Sequence, residues 1–139
     1  MPIDFWIDPE QPDLFRWKFT GGWTLSEYFP INDRANRLVI ERAPNPVYVI
    51  VDMLETDAPP DGFLSGLSST NNRGPDNWVL TVIVAQSRLY TSLLEVARKA
   101  DKRIMQRYRV VRSLEDAHTA IAAAHAARNH EALDNPDRR

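Results

Sequence analysis

The stretch Val47-Tyr48-Val49-Ile50-Val51-Asp52-Met53 decides the fold of this chain. Its first five residues are an uninterrupted run of β-branched and aromatic side chains, and Pro59-Pro60 follows shortly after it. Such a run is typical of a strand that is buried on both faces, and therefore of a central strand. Because the carboxyl ends of strands carry the working loops in open α/β sheets, we look first for function in residues 54–62.

The length and composition of the chain indicate one ordinary domain. The 139 residues include no cysteine, which excludes disulfide bonds and thiolate catalysis. No apolar run approaches the roughly 20 residues that a membrane span needs, and the amino terminus lacks the pattern of a signal peptide. We therefore expect a cytoplasmic protein with a single domain over residues 1–129 and a flexible tail over residues 130–139.

The net charge of −2 argues against a general nucleic-acid-binding surface. The charge is nevertheless uneven, because residues 1–77 carry a balance of −6 and residues 78–139 a balance of +4. The basic side chains of the second half could form a phosphate-binding patch, but no aromatic ladder accompanies them, and a solvated helix face is the simpler interpretation. This basic cluster comprises Arg98, Lys99, Lys102, Arg103, Arg107, Arg109 and Arg112.

The first part of the chain predicts an antiparallel hairpin followed by a helix. Apolar residues alternate around Phe5 and again around Trp17, and a turn-rich segment separates the two patterns. Thr24 and Glu27 have the spacing of a capping box, which predicts the start of a helix. Pro30 is expected to kink or interrupt that helix.

The rest of the chain alternates strands with helices. We expect a short helix over residues 61–67, a strand over 78–85, a helix from about 87 to 103, and a final strand and helix after residue 108. The inward face of the helix at 87–103 is predicted to comprise Leu89, Leu93, Val96, Ala97, Ala100 and Ile104. The final helix should bury Leu114, Ala117, His118, Ile121, Ala122 and His125. This order predicts an α/β fold with a mixed sheet of four to five strands, an N-terminal hairpin and about four helices.

Five segments in this order resemble a STAS domain, the fold of bacterial anti-sigma factor antagonists and their SpoIIAA-like relatives. The segments are Phe19-Thr20-Gly21-Gly22-Trp23-Thr24, the strand end Val51-Asp52, the glycine-containing loop after it, Thr81-Val82-Ile83-Val84, and the closing Tyr108-Arg109-Val110-Val111-Arg112-Ser113-Leu114-Glu115-Asp116-Ala117. The resemblance spans roughly residues 15–121. It implies a regulatory domain that binds an anti-sigma factor or another kinase-like ATPase.

In that family the loop after the central strand carries Asp-Ser-Ser-Gly, and phosphorylation of the second serine switches partner binding off. The corresponding residues here are Pro59-Pro60-Asp61-Gly62, so the resemblance places Asp61 at the phosphoacceptor position. An aspartate has no hydroxyl group to phosphorylate and carries a smaller charge than a phosphate. An alternative role for Asp61 is to cap the predicted short helix. A shifted register is a separate possibility, in which Ser65, Ser68, Ser69 or Thr70 would be the phosphoacceptor.

Two groups of residues follow as candidate sites at the carboxyl ends of the strands. The partner-binding or regulatory loop comprises Asp52, Asp57, Asp61, Gly62 and Phe63. A possible anion site comprises Ser87, Arg88, Arg112 and Ser113, where two helix N-termini and two guanidinium groups would meet. The alternative is that these arginines pair with Asp57 and Asp61 of the same chain.

Catalytic and metal sites find little support in the sequence. Asp52 could be a general base or metal ligand, although a hydrogen-bonded aspartate at a strand end is the simpler interpretation. His118 and His125 lie seven residues apart, about 10.5 Å along a helix, which is too far to share one metal ion. A Ser–His–Asp triad from Ser65 or Ser87 would lack the usual G-x-S-x-G turn.

These observations favour a non-enzymatic interaction domain that needs no cofactor. It would bind its protein partner through residues 54–62 and the adjoining helix. The alternative is a module that binds an anionic or apolar small molecule at the carboxyl ends of the parallel strands. The aromatic residues Trp23, Tyr28 and Phe29, or Tyr90 and Leu94, could instead form a homodimer surface, although such residues are more often core.

Overall fold

A computed structural model describes residues 2–57, 60, 62, 75–100 and 107–134. The described residues form five strands and three helices in a single α/β arrangement. The strands are β1 (Ile3–Ile7), β2 (Leu14–Gly21), β3 (Val47–Thr56), β4 (Trp78–Val84) and β5 (Tyr108–Val111). The helices are α1 (Leu25–Glu41), α2 (Arg88–Ala100) and α3 (Leu114–Asp134).

The five strands form one mixed sheet in the order β1-β2-β3-β4-β5. β1 and β2 are antiparallel, with Phe5 opposite Trp17, and every other neighbouring pair is parallel. The predicted α/β class, the mixed sheet and the N-terminal hairpin are thus confirmed. The described part of the chain has three helices instead of about four, and the short helix predicted at 61–67 lies outside it except for Gly62.

Apolar side chains form a core on each face of the sheet. On one face, α1 contributes Ala35 and Val39 and α2 contributes Tyr90 and Leu94 to a cluster with the inward side chains of all five strands. On the other face, α3 packs Ala117 and Ile121 against β3 and β4. β3 is therefore buried on both sides over Val47–Ile50, as its unbroken apolar run predicts.

β3 continues four residues beyond Asp52, where the sequence predicts its end. Glu55 and Thr56 pair with Thr20 and Gly21 of β2 after an irregularity in the register. The apolar run ends at Met53, but backbone pairing with β2 continues. The loop that the sequence places at residues 54–62 therefore begins at Asp57.

The capping box of α1 is confirmed. The Glu27 backbone N–H donates to the Thr24 hydroxyl at 3.2 Å, and the Thr24 N–H donates to the Glu27 carboxylate at 3.1 Å. Of the two outcomes expected at Pro30, a kink or an interruption, the interruption does not occur, because α1 is one element of 17 residues with Pro30 inside it. Pro30 lies in the second turn, where it removes only one backbone hydrogen bond.

The predicted inward face of α2 is wrong at Leu89 and Val96, whereas the side chains of Ala97 and Ala100 and all of Ile104 lie outside what the structure describes. Tyr90 and Leu94 are fully buried against the sheet, whereas Leu89 and Val96 are 49% and 55% exposed. The helix carries two apolar stripes, and the sequence analysis chose the one that faces solvent. Tyr90 and Leu94 belong to the core, which is the more common of the two roles considered for them.

α3 begins as predicted, with Ser113 as its N-cap. The Asp116 backbone N–H donates to the Ser113 hydroxyl at 3.1 Å. Ala117 and Ile121 are buried as expected, but His118 and Ala122 are exposed, so this part of the predicted inward face is wrong. The helix extends through Asp134, five residues past the boundary at residue 129 that the sequence suggested.

Candidate functional site

The residues of the predicted regulatory loop occupy different environments. Asp52 is buried on the α3 side of β3, and its Oδ1 accepts a hydrogen bond of 3.0 Å from the Leu54 backbone N–H. Asp57 is exposed, and its backbone N–H donates to the Gly21 carbonyl at 2.9 Å. Gly62 has a φ of +79°, a conformation that favours glycine. Asp61 and Phe63 lie outside the described residues, so their predicted roles stay predictions.

The four residues of the predicted anion site follow two adjacent strand ends. Val84 of β4 is opposite Val111 of β5, so Ser87 and Arg112 come shortly after neighbouring positions. Ser113 uses its hydroxyl to cap α3, and the Gln86 side chain donates to the Arg112 carbonyl at 3.0 Å.

The guanidinium groups of Arg88 and Arg112 are both exposed. Within the described ranges, neither forms an ion pair with an acidic side chain. The expected pairing of these arginines with Asp57 is therefore absent from the described residues. Nor does a hydrogen bond join the side chains of Ser87, Arg88, Arg112 and Ser113 there. The four residues share an edge of the sheet without forming a closed site.

Two of the three histidines of α3, His118 and His125, have different surroundings. The His125 Nε2 lies 3.2 Å from the Asp13 carboxylate, and its ring centroid lies 4.3 Å from that of Tyr48. His118 lies two turns before His125 in the helix and is exposed. Over the parts of the chain that the structure describes, no three His, Asp or Glu side chains are grouped so that they could hold a metal ion. His125 thus packs on Tyr48 and lies beside Asp13, whereas the predicted burial of His118 is wrong.

Three large apolar side chains remain exposed near the carboxyl ends of the strands and on α2. They are Leu54, Leu89 and Val96. Leu89 and Val96 lie seven residues apart, about two helical turns, and Leu93 between them is partly exposed. We call Leu89, Leu93 and Val96 the outer stripe of α2. Contiguous exposed apolar surface of this kind is typical of interaction sites.

An apolar cavity of about 70 Å³ lies between the sheet and the helices α1 and α2. Six of its described lining residues are aromatic, and no described lining residue carries a charged side chain. The aromatic residues are Trp17, Phe19, Trp23, Tyr28, Trp78 and Tyr108. No motif in the sequence predicts this cavity. The only signal was the density of aromatic residues between Phe15 and Phe29, which were weighed there as core or interface.

Several polar groups line the same cavity. Tyr28 donates its hydroxyl to the Asn32 Oδ1 at 3.3 Å, and the Trp78 indole N–H donates to the Thr81 hydroxyl at 2.8 Å. Burial raises the pKa of the Tyr108 phenol far above its usual range, which keeps this group neutral. Trp17 is 3% exposed, and its indole N–H has no hydrogen-bond partner among the described residues.

A polar cluster closes one side of this core at the end of β3. The Trp23 indole N–H donates to the Thr56 hydroxyl at 3.0 Å, and that hydroxyl donates to the Gly21 carbonyl at 3.1 Å. The Tyr90 hydroxyl also faces Thr56 and Trp23, and burial raises the pKa of the Tyr90 phenol. Helix α2 is thereby anchored to the end of β3 through its first turn.

Comparison with known proteins leaves the family open. No family model matches the chain, and no curated protein matches its sequence. Within the described ranges, none of the helices combines the length and apolar character needed to cross a membrane. The resemblance to STAS domains therefore stays a prediction that rests on the residues quoted for it.

Proposed function

We propose that this chain is a non-enzymatic regulatory domain that binds a protein partner. The docking surface would be the outer stripe of α2 together with the carboxyl end of β3. The resemblance to anti-sigma factor antagonists supplies the class of partner, an anti-sigma factor or another kinase-like ATPase.

The observation that carries this proposal is the division of α2 into two apolar faces. Tyr90 and Leu94 are fully buried and account for the attachment of the helix to the sheet. Leu89 and Val96 contribute nothing comparable to folding, because about half of each side chain is exposed to water. Large aliphatic side chains that folding leaves exposed in a row gain stability when a partner covers them.

Two acidic residues are exposed at the end of β3, and the charge of one of them, Asp57, acts on the Tyr90 phenol of α2. Glu55 is exposed and pairs with Lys18 at 2.7 Å, and Asp57 is exposed one residue after the strand. A partner with basic side chains around an apolar centre would complement this edge. The aspartate at position 61 would add a further fixed negative charge and would not permit the phosphorylation switch that the family uses at this position.

The alternative function is binding of an anionic small molecule by Ser87, Arg88, Arg112 and Ser113. The observation in its favour is that both guanidinium groups are exposed and form no ion pair within the described residues. It is the weaker candidate because the Ser113 hydroxyl already caps α3. A homodimer through the outer stripe is a further alternative, and native mass spectrometry of the isolated chain would detect it.

The test is capture of interacting proteins from a lysate of the source organism by the immobilised full chain, followed by identification of the captured proteins. We expect a kinase-like ATPase to be retained by the wild-type chain. The double variant Leu89→Ser, Val96→Ser should bind that purified protein at least about tenfold more weakly, because interface centres lose more than 1 kcal/mol per anchor residue.

The matched control is Ile40→Ser on α1. Ile40 is 58% exposed, which is close to the values for Leu89 and Val96, but it lies on a different helix. Its replacement should leave partner affinity unchanged. The variants Asp61→Ser and Asp61→Ala test whether the loop contributes. Equal weakening by the Ile40 and the α2 variants, or retention of no kinase-like protein, would contradict the proposed docking surface.

A further inference from the structure

The edge of the sheet at β1 carries an inference that does not involve the outer stripe of α2. β1 pairs with β2 on one side, and within the described residues no strand pairs with its other side. We propose that β1 pairs there with β1 of a second copy of this chain, in an antiparallel register centred on Phe5. The two sheets then join into one continuous sheet around a twofold axis.

The hydrogen bonds between β1 and β2 determine which backbone groups of β1 are already used. In an antiparallel pair, only every second pair of opposite residues is hydrogen-bonded. At one end of this pair the Asp8 N–H donates to the Leu14 carbonyl at 2.9 Å. At the other end the Thr20 N–H donates to the Pro2 carbonyl at 2.8 Å. The even-numbered residues of β1 therefore bond to β2.

The odd-numbered residues of β1 present their backbone groups to the open edge. These residues are Ile3, Phe5 and Ile7, and no described residue bonds to their outward N–H and C=O groups. β1 also lacks the features that usually prevent pairing at an edge, because it contains no lysine, no proline and no bulge. Such an edge is a template for a further strand.

Charge and backbone chemistry exclude two of the three registers that pair at least two outward residues of each strand. These registers place the twofold axis at position 4, 5 or 6 of the chain. An axis at position 4 sets Asp4 directly opposite Asp4 of the second copy, which is unfavourable for like charges. An axis at position 6 sets Asp4 opposite Asp8, another pair of like charges. It also sets Ile3 opposite Pro9, which has no N–H to donate.

The register centred on Phe5 avoids these conflicts. Phe5 lies opposite Phe5 of the second copy, and Ile3 lies opposite Ile7. All the outward N–H and C=O groups of both strands then form hydrogen bonds across the axis. In this register Asp4 faces Trp6 of the second copy in a pair without backbone hydrogen bonds, where side chains approach most closely.

The surroundings of Trp6 provide an observation that does not depend on the backbone. Trp6 is 37% exposed, whereas the other three tryptophans are no more than 9% exposed. The Arg16 guanidinium lies 5.4 Å from the centroid of the Trp6 ring. Asp4 is exposed, and the proposed register brings its carboxylate from the second copy next to this ring and its positive charge. The two Trp6 rings lie diagonally across the axis, within reach of each other. The surface is thus complementary to itself.

The contact is small, which determines how stable the dimer should be. β1 has five residues, and strands of that length extend over about 17 Å. A contact of this size belongs to the class of weak, reversible interfaces. We expect a monomer–dimer equilibrium with a Kd of roughly 10–100 µM.

Two measurements on the full chain test the proposal. Sedimentation equilibrium from about 5 µM to about 500 µM should show the conversion of monomer to dimer. Backbone amide exchange by NMR should slow at least about threefold at Ile3, Phe5 and Ile7 between the two ends of this range. The amides of Asp4 and Trp6 already bond to β2 and should change less.

Variants of Trp6 test the register. Trp6→Glu removes the exposed ring and opposes Asp4 of the second copy with a like charge, so it should weaken the dimer at least about tenfold. The double variant Trp6→Glu, Asp4→Lys restores opposite charges across the axis and should bind at least about threefold more tightly than Trp6→Glu alone.

The matched control is Phe29→Glu on α1. Phe29 is 38% exposed, close to the value for Trp6, and its replacement should leave the dimer unchanged. The double variant Leu89→Ser, Val96→Ser should also leave it unchanged, which separates this contact from the proposed docking surface.

Four results would overturn the inference. They are a monomer at every concentration, slower exchange that is not concentrated at the odd-numbered residues of β1, equal weakening by Phe29→Glu, and no recovery in the double variant at positions 4 and 6. Loss of the dimer in the α2 variant would place the contact on the outer stripe instead. If Trp6→Glu does not fold, the exchange pattern of the wild-type chain decides between these outcomes.

Discussion

The indole N–H of Trp23 donates a hydrogen bond of 3.0 Å to the hydroxyl of Thr56, and this bond joins the segment before α1 to the last residue of β3. Trp23 also lines the apolar cavity, so the bond fixes one of the cavity walls. The end of β3, which lies beyond the apolar run of the strand, thus helps to hold the core together.

Replacement of Thr56 by valine removes this acceptor and also the bond from Thr56 to the Gly21 carbonyl, at nearly constant volume. We expect a loss of about 1–3 kcal/mol in the free energy of unfolding, because buried polar groups lose their partners. Urea denaturation followed by circular dichroism measures this loss. Thr56→Ser keeps the hydroxyl and should lose less. Similar losses in both variants would show that the methyl group, and not the hydrogen bond, matters.

The two faces of α2 should respond differently to truncation. Leu94→Ala removes a fully buried side chain from the core and should lower the free energy of unfolding by about 2–5 kcal/mol. Leu89→Ala changes a side chain that is half exposed and should alter stability by no more than about 0.5 kcal/mol. Thermal or urea unfolding of both variants provides the comparison. A larger loss for Leu89→Ala would mean that the helix packs through its outer stripe.

Stability should fall at alkaline pH. Burial raises the pKa of the Tyr48, Tyr90 and Tyr108 phenols in the folded chain, with the largest effect at Tyr108. The folded state then holds these protons more tightly than the unfolded state. The phenols therefore contribute to the free energy of unfolding, and this contribution is complete below the unfolded pKa of about 10 and is lost as the pH rises above it.

The measurement is the urea midpoint at several pH values from about 8 to about 11.5. Lysines also titrate in this range, so the matched variant is Tyr108→Phe, which removes one phenol and keeps its ring. Each buried tyrosine contributes a slope of at most about 1.4 kcal/mol per pH unit above pH 10. The variant should therefore lose stability less steeply than the wild type. Identical slopes would exclude Tyr108 as a source of the alkaline effect.

Gly62 should resist replacement, whereas Gly22 should not. Gly62 has a φ of +79°, and an added Cβ would lie 3.3 Å from the Leu25 Cδ1. Gly62→Ala should therefore cost about 1–2 kcal/mol. At Gly22 the nearest atom to an added Cβ is the Asp57 Oδ2 at 3.6 Å, an ordinary contact, and φ is not in the left-handed region. Gly22→Ala should be neutral or slightly stabilising. Equal unfolding midpoints for the two variants would contradict the backbone conformation at Gly62.

Local chemistry predicted much of this fold. The apolar run at Val47, the capping box at Thr24 and the N-cap at Ser113 each depend on neighbours in sequence, and all three are confirmed. The face of α2 was not predictable in this way. Two pairs of apolar residues repeat at helical spacing, Leu89 and Val96 on one side and Tyr90 and Leu94 on the other. Only the packing against the sheet decides which pair is buried.

The cavity could not be predicted because it is a property of space between distant segments. Trp17, Asn32 and Thr81 belong to three elements, and no sequence pattern indicates that their side chains leave a volume unfilled. The candidate anion site was predicted in part. The strand ends were placed correctly, but the use of the Ser113 hydroxyl in capping and the exposure of both guanidinium groups depend on side-chain conformation.

The order of the strands has a consequence for how the chain can assemble. Neighbouring strands in the described sheet are also consecutive in the sequence, from β1 to β5. The sheet can therefore grow from β1 to β5 as the chain leaves the ribosome, and no strand has to be inserted between two that have already paired. Each closure spans one connecting segment, and its entropic cost rises only slowly with the length of that segment. The strands can therefore pair in the order in which they are synthesised, starting from the amino terminus.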